Sequence, residues 1–520
     1  MINIIMGIPA YFSYIVKNHP TIIKKLLTIH GAVDNLLLDC NSIIYDALFN
    51  VEFTTKVDYE REIIDYVCSK IKEYISDVSP TSIIYIAFDG VAPVAKLEQQ
   101  RSRRYKSWFT NQVLKKESVW DRCAITPGTP FMCALSDKMH STFGQNPLCK
   151  ISTSTEQGEG EHKLFQHIRE SPELYSDKTT IVYGLDADLI MLCINHMYLC
   201  KNIYLFRETP EFIKHIDKSL NPNELYILDI MELSSNISLT MNNNTECSTE
   251  QEKNKLFDYI FICFMLGNDF MPHFPHINIR TNGIHILMDA YKETIGNCGL
   301  NLTNGKEIYW NNFRKFISHL VNNEQTLFQE EYEKRKMLQR RRFTNDTPEE
   351  KLNNIPIKDL SGEMFIDPYE KQWKFKYYKV LFDMDGKKED KKQICRNYLE
   401  ALEWNFKYYT SSCPDWSWRY NYDYPPLLED LLEYIPSFSI EFVENKPPIA
   451  ISHYTQLAYV LPKNSLYELL PRNIYDKIIC NSAWYEDDCD FKWNYCRYFW
   501  EAHVHLPDIP INSLEAIVNN

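Results

Sequence analysis

Three apolar runs in the first half of the chain each end on an acid. "NLLLD" closes at Asp39, "SIIYIAFD" at Asp89 and "TTIVYGLD" at Asp186. Their length and β-branched content predict buried strands. Between them, apolar positions recur at helical spacing over Tyr59 to Ile75 and His162 to Arg169. Strands alternating with helices predict an α/β fold, a largely parallel central sheet flanked by helices. Ligands of such sheets sit beyond the carboxyl ends of the strands, where these aspartates fall.

Further on, the pattern changes. "MNNNTECSTEQEKNK", Met241 to Lys255, is polar and low in aromatics, which predicts a surface insertion or disordered loop. A charged segment from Glu324 to Lys351 contains "EKRKMLQRRR", and an aromatic stretch follows, "WNFKYYTSSCPDWSWRYNYDYPP", Trp404 to Pro426. A chain of 520 residues exceeds one ordinary core. The expected division is a core over 1–310, a charged linker over 311–350 and a mostly helical second block over 351–520.

Charge narrows the choice of partner. The formal net charge is −14, so any nucleic-acid site must be a local basic patch on an acidic body. The 15 cysteines are odd in number and contain no C-x-x-C pair. That argues against a disulfide framework or a cysteine-ligated zinc, and for free thiols in a reducing compartment. "MINIIMGIPAYFSYIV" carries no basic leader, and the longest apolar stretch, Phe257 to Gly267, is too short to span a bilayer. A cytoplasmic protein, with the nucleus as an alternative, is expected.

The candidate chemistry is acidic. Asp39, Asp89, Glu159, Glu161, Asp186, Asp188 and Asp269 all stand at element ends. Glu159–Glu161 and Asp186–Asp188 share a spacing of two, which on extended chain points both members the same way. Converging pairs would repel unless cations neutralised them, and hard oxygen ligands suit Mg²⁺ or Mn²⁺. A cluster this rich can hold two metals and support in-line attack on a phosphodiester. Any one acid also has a structural explanation as a turn former or helix cap, the class in which Asp46 and Asp58 are left. Around Glu159, Gly158 and Gly160 are expected to permit a tight turn that aims both carboxylates into one site.

A basic stretch follows Asp89. If helical after Pro93, "KLEQQRSRR" puts Lys96, Gln100, Arg103 and Arg104 on one face, a candidate phosphate site. Trp416 and Trp418 could stack on bases, although core packing is the commoner fate of aromatics. His273 and His276 are not read as a metal pair, because Pro275 spoils the helical spacing. No Walker-type phosphate loop is present.

Several stretches together resemble the Xrn family of 5′→3′ exoribonucleases. They are "MGIPAYFSYI" from Met6, "LLLDCNSIIYDAL" from Leu36, "AFDGVAPVAKLEQQRSRRYKS" from Ala87, "ITPGTPFM" from Ile125, "GEGEHK" from Gly158, "YGLDADLIML" from Tyr183 and "FICFMLGNDFMPHFP" from Phe261. The aromatic stretch, "HYTQLAYVLPKNSLYELLP" from His453 and "WEAHVHLPDI" from Trp500 extend the likeness over nearly the whole chain. The resemblance implies a 5′ nuclease-like core and processive hydrolysis of 5′-monophosphorylated single-stranded RNA to mononucleotides by a monomer with two Mg²⁺ ions. It implies that the seven acids hold the metals and that Lys96, Gln100, Arg103 and Arg104 grip the 5′ phosphate, excluding capped and triphosphorylated ends. Trp416 or Trp418, more so Trp418, would stack on the first bases, together with Tyr45, which stands where the family usually has histidine. Five residues precede Met6, where the family normally starts, and that end is expected near the site. The long C-terminal extension of the large cytoplasmic members is not expected here, nor partners recruited through it.

Two rivals remain at this stage. A structure-specific 5′ nuclease acting on DNA would share the acids, and a noncatalytic RNA-binding relative would share the fold. The second block and the basic helix argue against the first, and the full set of acids against the second.

Overall fold

The computed structural model describes residues 10–29, 31–116, 119–207, 220–221, 224–486 and 488–519. Met6 and the residues before it lie outside these. Seven strands form one sheet: β1 (Ile23–Lys25), β2 (Asn35–Asp39), β3 (Ile83–Ala87), β4 (Cys149–Ser152), β5 (Thr179–Tyr183), β6 (Asn202–Phe206) and β7 (Tyr226–Asp229). Their order is β1-β7-β6-β5-β2-β3-β4, with β6, β5, β2, β3 and β4 parallel and β7 and β1 antiparallel at one edge. The sheet expected from the sequence is therefore present. The runs ending at Asp39, Asp89 and Asp186 supply its three adjacent central strands.

Alternation decides which face each side chain meets. Leu37, Tyr85 and Val182 pack to one side, against the helices Gly160–Glu170, Asp188–His196 and Thr249–Cys263. Leu36, Leu38, Ile84, Ile86 and Ile181 pack to the other, against Asn41–Asn50, Lys56–Val78 and Pro130–Phe143. The long helix Lys388–Thr410 joins the first of these cores through Tyr398, Leu402, Trp404 and Tyr409. The C-terminal helices close over the helix Val94–Leu114 through Leu97, Leu457 and Leu466. Among the described residues no helix is long and apolar enough to cross a membrane.

Two expectations need correction. The segment expected as a charged linker contains the helix Glu324–Arg340, with Phe328, Tyr332 and Arg335 buried at helical spacing. Its charges line the other faces. The polar stretch expected as an insertion or disordered loop becomes helical at Thr249, where Ser248 and Gln251 form a reciprocal capping box. Asp46 and Asp58 are structural as read: Asp46 accepts from Tyr66 at 2.6 Å, and Asp58 pairs with Arg61 at 2.8 Å.

Candidate active site

Parallel pairing sets the first three acids side by side. Asp39 ends β2, Asp89 follows β3 and Asp186 follows β5, all at the carboxyl edge. The turn "GEGEHK" then brings its acids beneath them. Gly158 takes φ +101°, which only glycine adopts without strain. Gly160 is required for a different reason, room: a Cβ there would lie 2.7 Å from Asp39 Oδ1. The Gly160 N–H instead donates to Asp89 Oδ1 at 2.6 Å. Lys163 pins the turn by donating to the carbonyls of Phe88 and Thr153 at 2.8 and 2.9 Å.

Glu159, Glu161, Asp186 and Asp188 are buried, and Asp39, Asp89 and Asp269 half-buried. The paired acids reach the site through a helix start rather than extended chain, since Glu161 and Asp188 lie in first helical turns. Burial, then the neighbouring charges, raises the pKa of Asp39, Glu161, Asp186 and Asp188. Asp39 is held well above the usual carboxylate range by burial, Asp89 and Asp186. Glu161 and Asp188 are raised well above it by burial and then Asp186. Asp186 is pushed up to about 6 by burial and then Asp269.

Lys96 does not stand apart in a phosphate pocket. Its Nζ lies 2.6 Å from Glu159 Oε2 and 2.7 Å from Asp269 Oδ2. Burial opposes its charge, but Asp269, Glu159, Glu161 and Asp186 outweigh that and hold its pKa well above the ordinary value. Its long stem lets the ammonium turn toward the acids while Gln100, Arg103 and Arg104 remain together farther along the helix. Arg104 donates to Gln100 at 3.2 Å and to Thr126 at 2.8 Å, and Arg103 Nη1 is buried with no partner. Tyr45, half-buried on the helix Asn41–Asn50, lies near Arg104.

The second block supplies groups that sequence reasoning placed in the core. Tyr408 donates to Glu159 at 2.7 Å and stacks on His162 with ring centroids 3.7 Å apart. Tyr409 hydrogen-bonds Asp188. Trp404 packs on Tyr408 at 4.7 Å, and Trp418 stacks on Trp404 at 5.2 Å and 22°. An aromatic column thus runs from Trp418 to the acids. Trp416 takes part through its backbone, its carbonyl accepting from Val94 N at the start of the basic helix. The adjacency of Tyr408 and Tyr409 within a quoted aromatic run was the available signal. His276 is buried and His273 half-buried, their pKa values lowered by burial to about 3 and about 4.

The donor set fits hard divalent cations. Asp39 Oδ1, Glu161 Oε2 and Asp188 Oδ1 are buried with no hydrogen-bond partner, and carboxylate oxygens suit Mg²⁺ or Mn²⁺. Among the described residues no three such side chains are closed into a ready-made ligand set. Lys96 holds Glu159 and Asp269 in their present positions.

Comparison with known proteins agrees with this arrangement. The family described as "XRN 5'-3' exonuclease N-terminus" matches residues 6–209, and "Xrn1 helical domain" matches 250–364 and 365–519. The chain belongs to the XRN 5′-3′ exonuclease family. It is 25% identical over 613 residues to 5'-3' exoribonuclease 1 of Saccharomyces cerevisiae, covering 88% of this chain and 39% of that protein. Identity is 27% over 587 residues to 5'-3' exoribonuclease 1 of Homo sapiens, covering 97% and 33%. It is 24% over 679 residues to 5'-3' exoribonuclease 2 of Arabidopsis thaliana, covering 96% and 66%. The chain thus spans about one third to two thirds of the length of these curated relatives. Both XRN matches contribute to the site, Asp39 to Asp188 from the first and Asp269 with the aromatic column from the second. They adjoin between residues 209 and 250, so the division expected at 311–350 falls inside the helical match.

Proposed function

We propose that this chain is a 5′→3′ exoribonuclease that hydrolyses 5′-monophosphorylated single-stranded RNA processively to mononucleotides. The observation that carries the reading is the placement of seven carboxylates at the carboxyl edge of the sheet, on the same helix-bound frame as Gln100, Arg103 and Arg104. Family membership and the relatives' names, 5'-3' exoribonucleases, support RNA as the substrate.

Each residue then has a task. The Arg103 and Arg104 forks and Gln100 hold the terminal phosphate, fixing the strand end relative to the acids and hence the position of the cut. Two Mg²⁺ ions, or Mn²⁺, held by Asp39, Asp89, Glu159, Glu161, Asp186, Asp188 and Asp269 would supply activation of water and stabilisation of the departing 3′ oxygen. Tyr408 and Tyr409 fix the orientation of Glu159 and Asp188. Lys96 can exchange its carboxylate partners for the phosphate once cations neutralise the acids. Trp418, backed by Trp404, offers a ring face to a base, and Tyr45 does so near Arg104.

The test uses Asp186→Ala beside wild type, on single-stranded RNA and on DNA of the same sequence, in Mg²⁺ and in a chelator. Mg²⁺-dependent loss of RNA by wild type alone is expected. Cleavage of a 5′-flapped DNA duplex, added as a third substrate, in preference to RNA would move the reading to a structure-specific DNA nuclease. Binding without cleavage would move it to a noncatalytic relative.

A further inference from the structure

The arginine run that ends the charged segment divides in two. Arg335 is buried and donates to both oxygens of Glu363, at 2.6 and 2.7 Å, and to the carbonyls of Cys496 and Pro356. It holds the fold together. Arg341 and Arg342 are exposed, and among the described residues neither side chain is in an ion pair. Phe343, next in the chain, faces Arg497, whose guanidinium lies 5.2 Å from the Phe343 ring and 4.6 Å from that of Tyr498. Tyr498 stacks on Trp500 at 5.6 Å and 15°, and Arg280 lies 5.9 and 5.8 Å from these two rings.

The result is a continuous row of half-buried rings and arginines beside two free arginines. Glu501 neutralises Arg280 at 2.7 Å. No carboxylate among the described residues pairs with Arg497, and its Nη1 is buried without a hydrogen-bond partner. Arg341 and Arg342 directly precede Phe343 in the chain, so two exposed unpaired arginines adjoin this row on a chain whose net charge is −14. The row is tied to the helix that carries Lys96. Lys106 Nζ donates to the carbonyls of Trp500 and Ala502 at 3.0 Å each. Ten residues of helix separate Lys106 from Lys96, about 15 Å of rise.

We propose that this row is a second, sequence-independent binding site for single-stranded RNA, which holds the substrate strand away from the cut. The inference rests on the exoribonuclease reading. The exposed forks of Arg341 and Arg342 present their N–H groups to phosphates, contacts that do not depend on base identity. A concentrated positive charge on an acidic body selects a polyanion, and phosphates at regular spacing meet successive arginines along the row. Retention here keeps a long strand bound while its 5′ end is being reset.

The test measures binding in a chelator, so that no strand is cut. Probes are 5′-monophosphorylated oligouridylates of about five and about thirty nucleotides, with site sizes of single-strand binders setting the contrast. An Arg341→Glu/Arg342→Glu chain is expected to bind the long RNA about tenfold or more weakly and the short RNA nearly as wild type. With neutralising Arg341→Gln/Arg342→Gln, the slope of log affinity against log salt for the long RNA should fall by about 1.4, from two lost phosphate contacts at about 0.7 each. Arg497→Gln should weaken the long RNA alone. Unchanged long-RNA affinity, or equal loss on both lengths, overturns the proposal. Displacement of the long RNA by polyglutamate of equal charge overturns it in favour of an acidic protein segment. Wild type that binds neither RNA rejects the exoribonuclease reading itself, whereas wild type that binds both lengths equally rejects only this site.

Discussion

The ammonium of Lys96 lies between Glu159 and Asp269, 2.6 Å from one and 2.7 Å from the other. A residue assigned by its helix face to a phosphate therefore also serves as counter-ion to the acids. Removing one partner of a buried ion pair costs about 3–5 kcal/mol. Lys96→Met is expected to lower the stability of the protein in a chelator by about that much, with the deficit shrinking in saturating Mg²⁺. Urea unfolding in both buffers checks this. Equal midpoints for the two chains in the chelator would remove the counter-ion role.

On the proposed reading, Tyr408 acts on the chemistry through Glu159. Tyr408→Phe keeps the stack on His162 and deletes only the 2.7 Å hydrogen bond. Loss of such an orienting bond typically costs about 10- to 100-fold in activity or metal affinity. The expectation is a fall of that size in kcat and weaker Mn²⁺ binding by calorimetry, with KM for RNA little changed. A change in KM alone would place Tyr408 in RNA binding instead.

Trp418 and Trp416 should separate. Base stacking on an aromatic side chain is worth about 1–3 kcal/mol, and Trp418 is the one backed by a second indole. Trp418→Ala is expected to raise KM for RNA about tenfold, and Trp418→Phe to restore most of it. Trp416→Ala should have a smaller effect, since the observed contact of Trp416 is its backbone carbonyl. The reverse order in steady-state assays would reassign the stacking residue.

Away from the site, Asp258 links stability to pH. It is buried and accepts from Leu302 N, Thr303 N and Tyr291, and burial pushes its pKa up to about 7. The unfolded value is about 3.9. The folded chain thus holds the extra proton between these values. Its contribution is fully present below about pH 4 and is lost as pH rises through about 7, at most about 4 kcal/mol. Wild type is expected to lose stability from pH 5 to pH 8. Asp258→Asn should start lower, because its amide nitrogen faces donors, and change less with pH. Parallel slopes for the two chains would contradict the assignment.

Much of this was legible from residue order. β2, β3 and β5 declared themselves as apolar runs, and parallel pairing then forces Asp39, Asp89 and Asp186 together. The glycines around Glu159 were also readable, although Gly160 is needed for space rather than for its φ. The position of Lys96 was not readable, because a helix face fixes where a stem begins and not where a flexible side chain ends. Tyr408 and Tyr409 look like core in composition and are distinguished only by what lies opposite them. Glu324–Arg340 read as a linker because charges outnumber its apolar stripe. The stripe of Phe328, Tyr332 and Arg335 ends in an arginine made buriable by Glu363 and the carbonyls of Cys496 and Pro356, which lie far away in the sequence.

The most direct test of the central claim is degradation of 3′-labelled single-stranded RNA in Mg²⁺, comparing 5′-monophosphate, 5′-triphosphate and 5′-hydroxyl ends. Selective loss of the monophosphate substrate, with label retained in intact strands until they are consumed, is the expected result. Equal attack on all three ends would contradict the Gln100–Arg103–Arg104 assignment, and accumulation of internal fragments would contradict a 5′→3′ exoribonuclease.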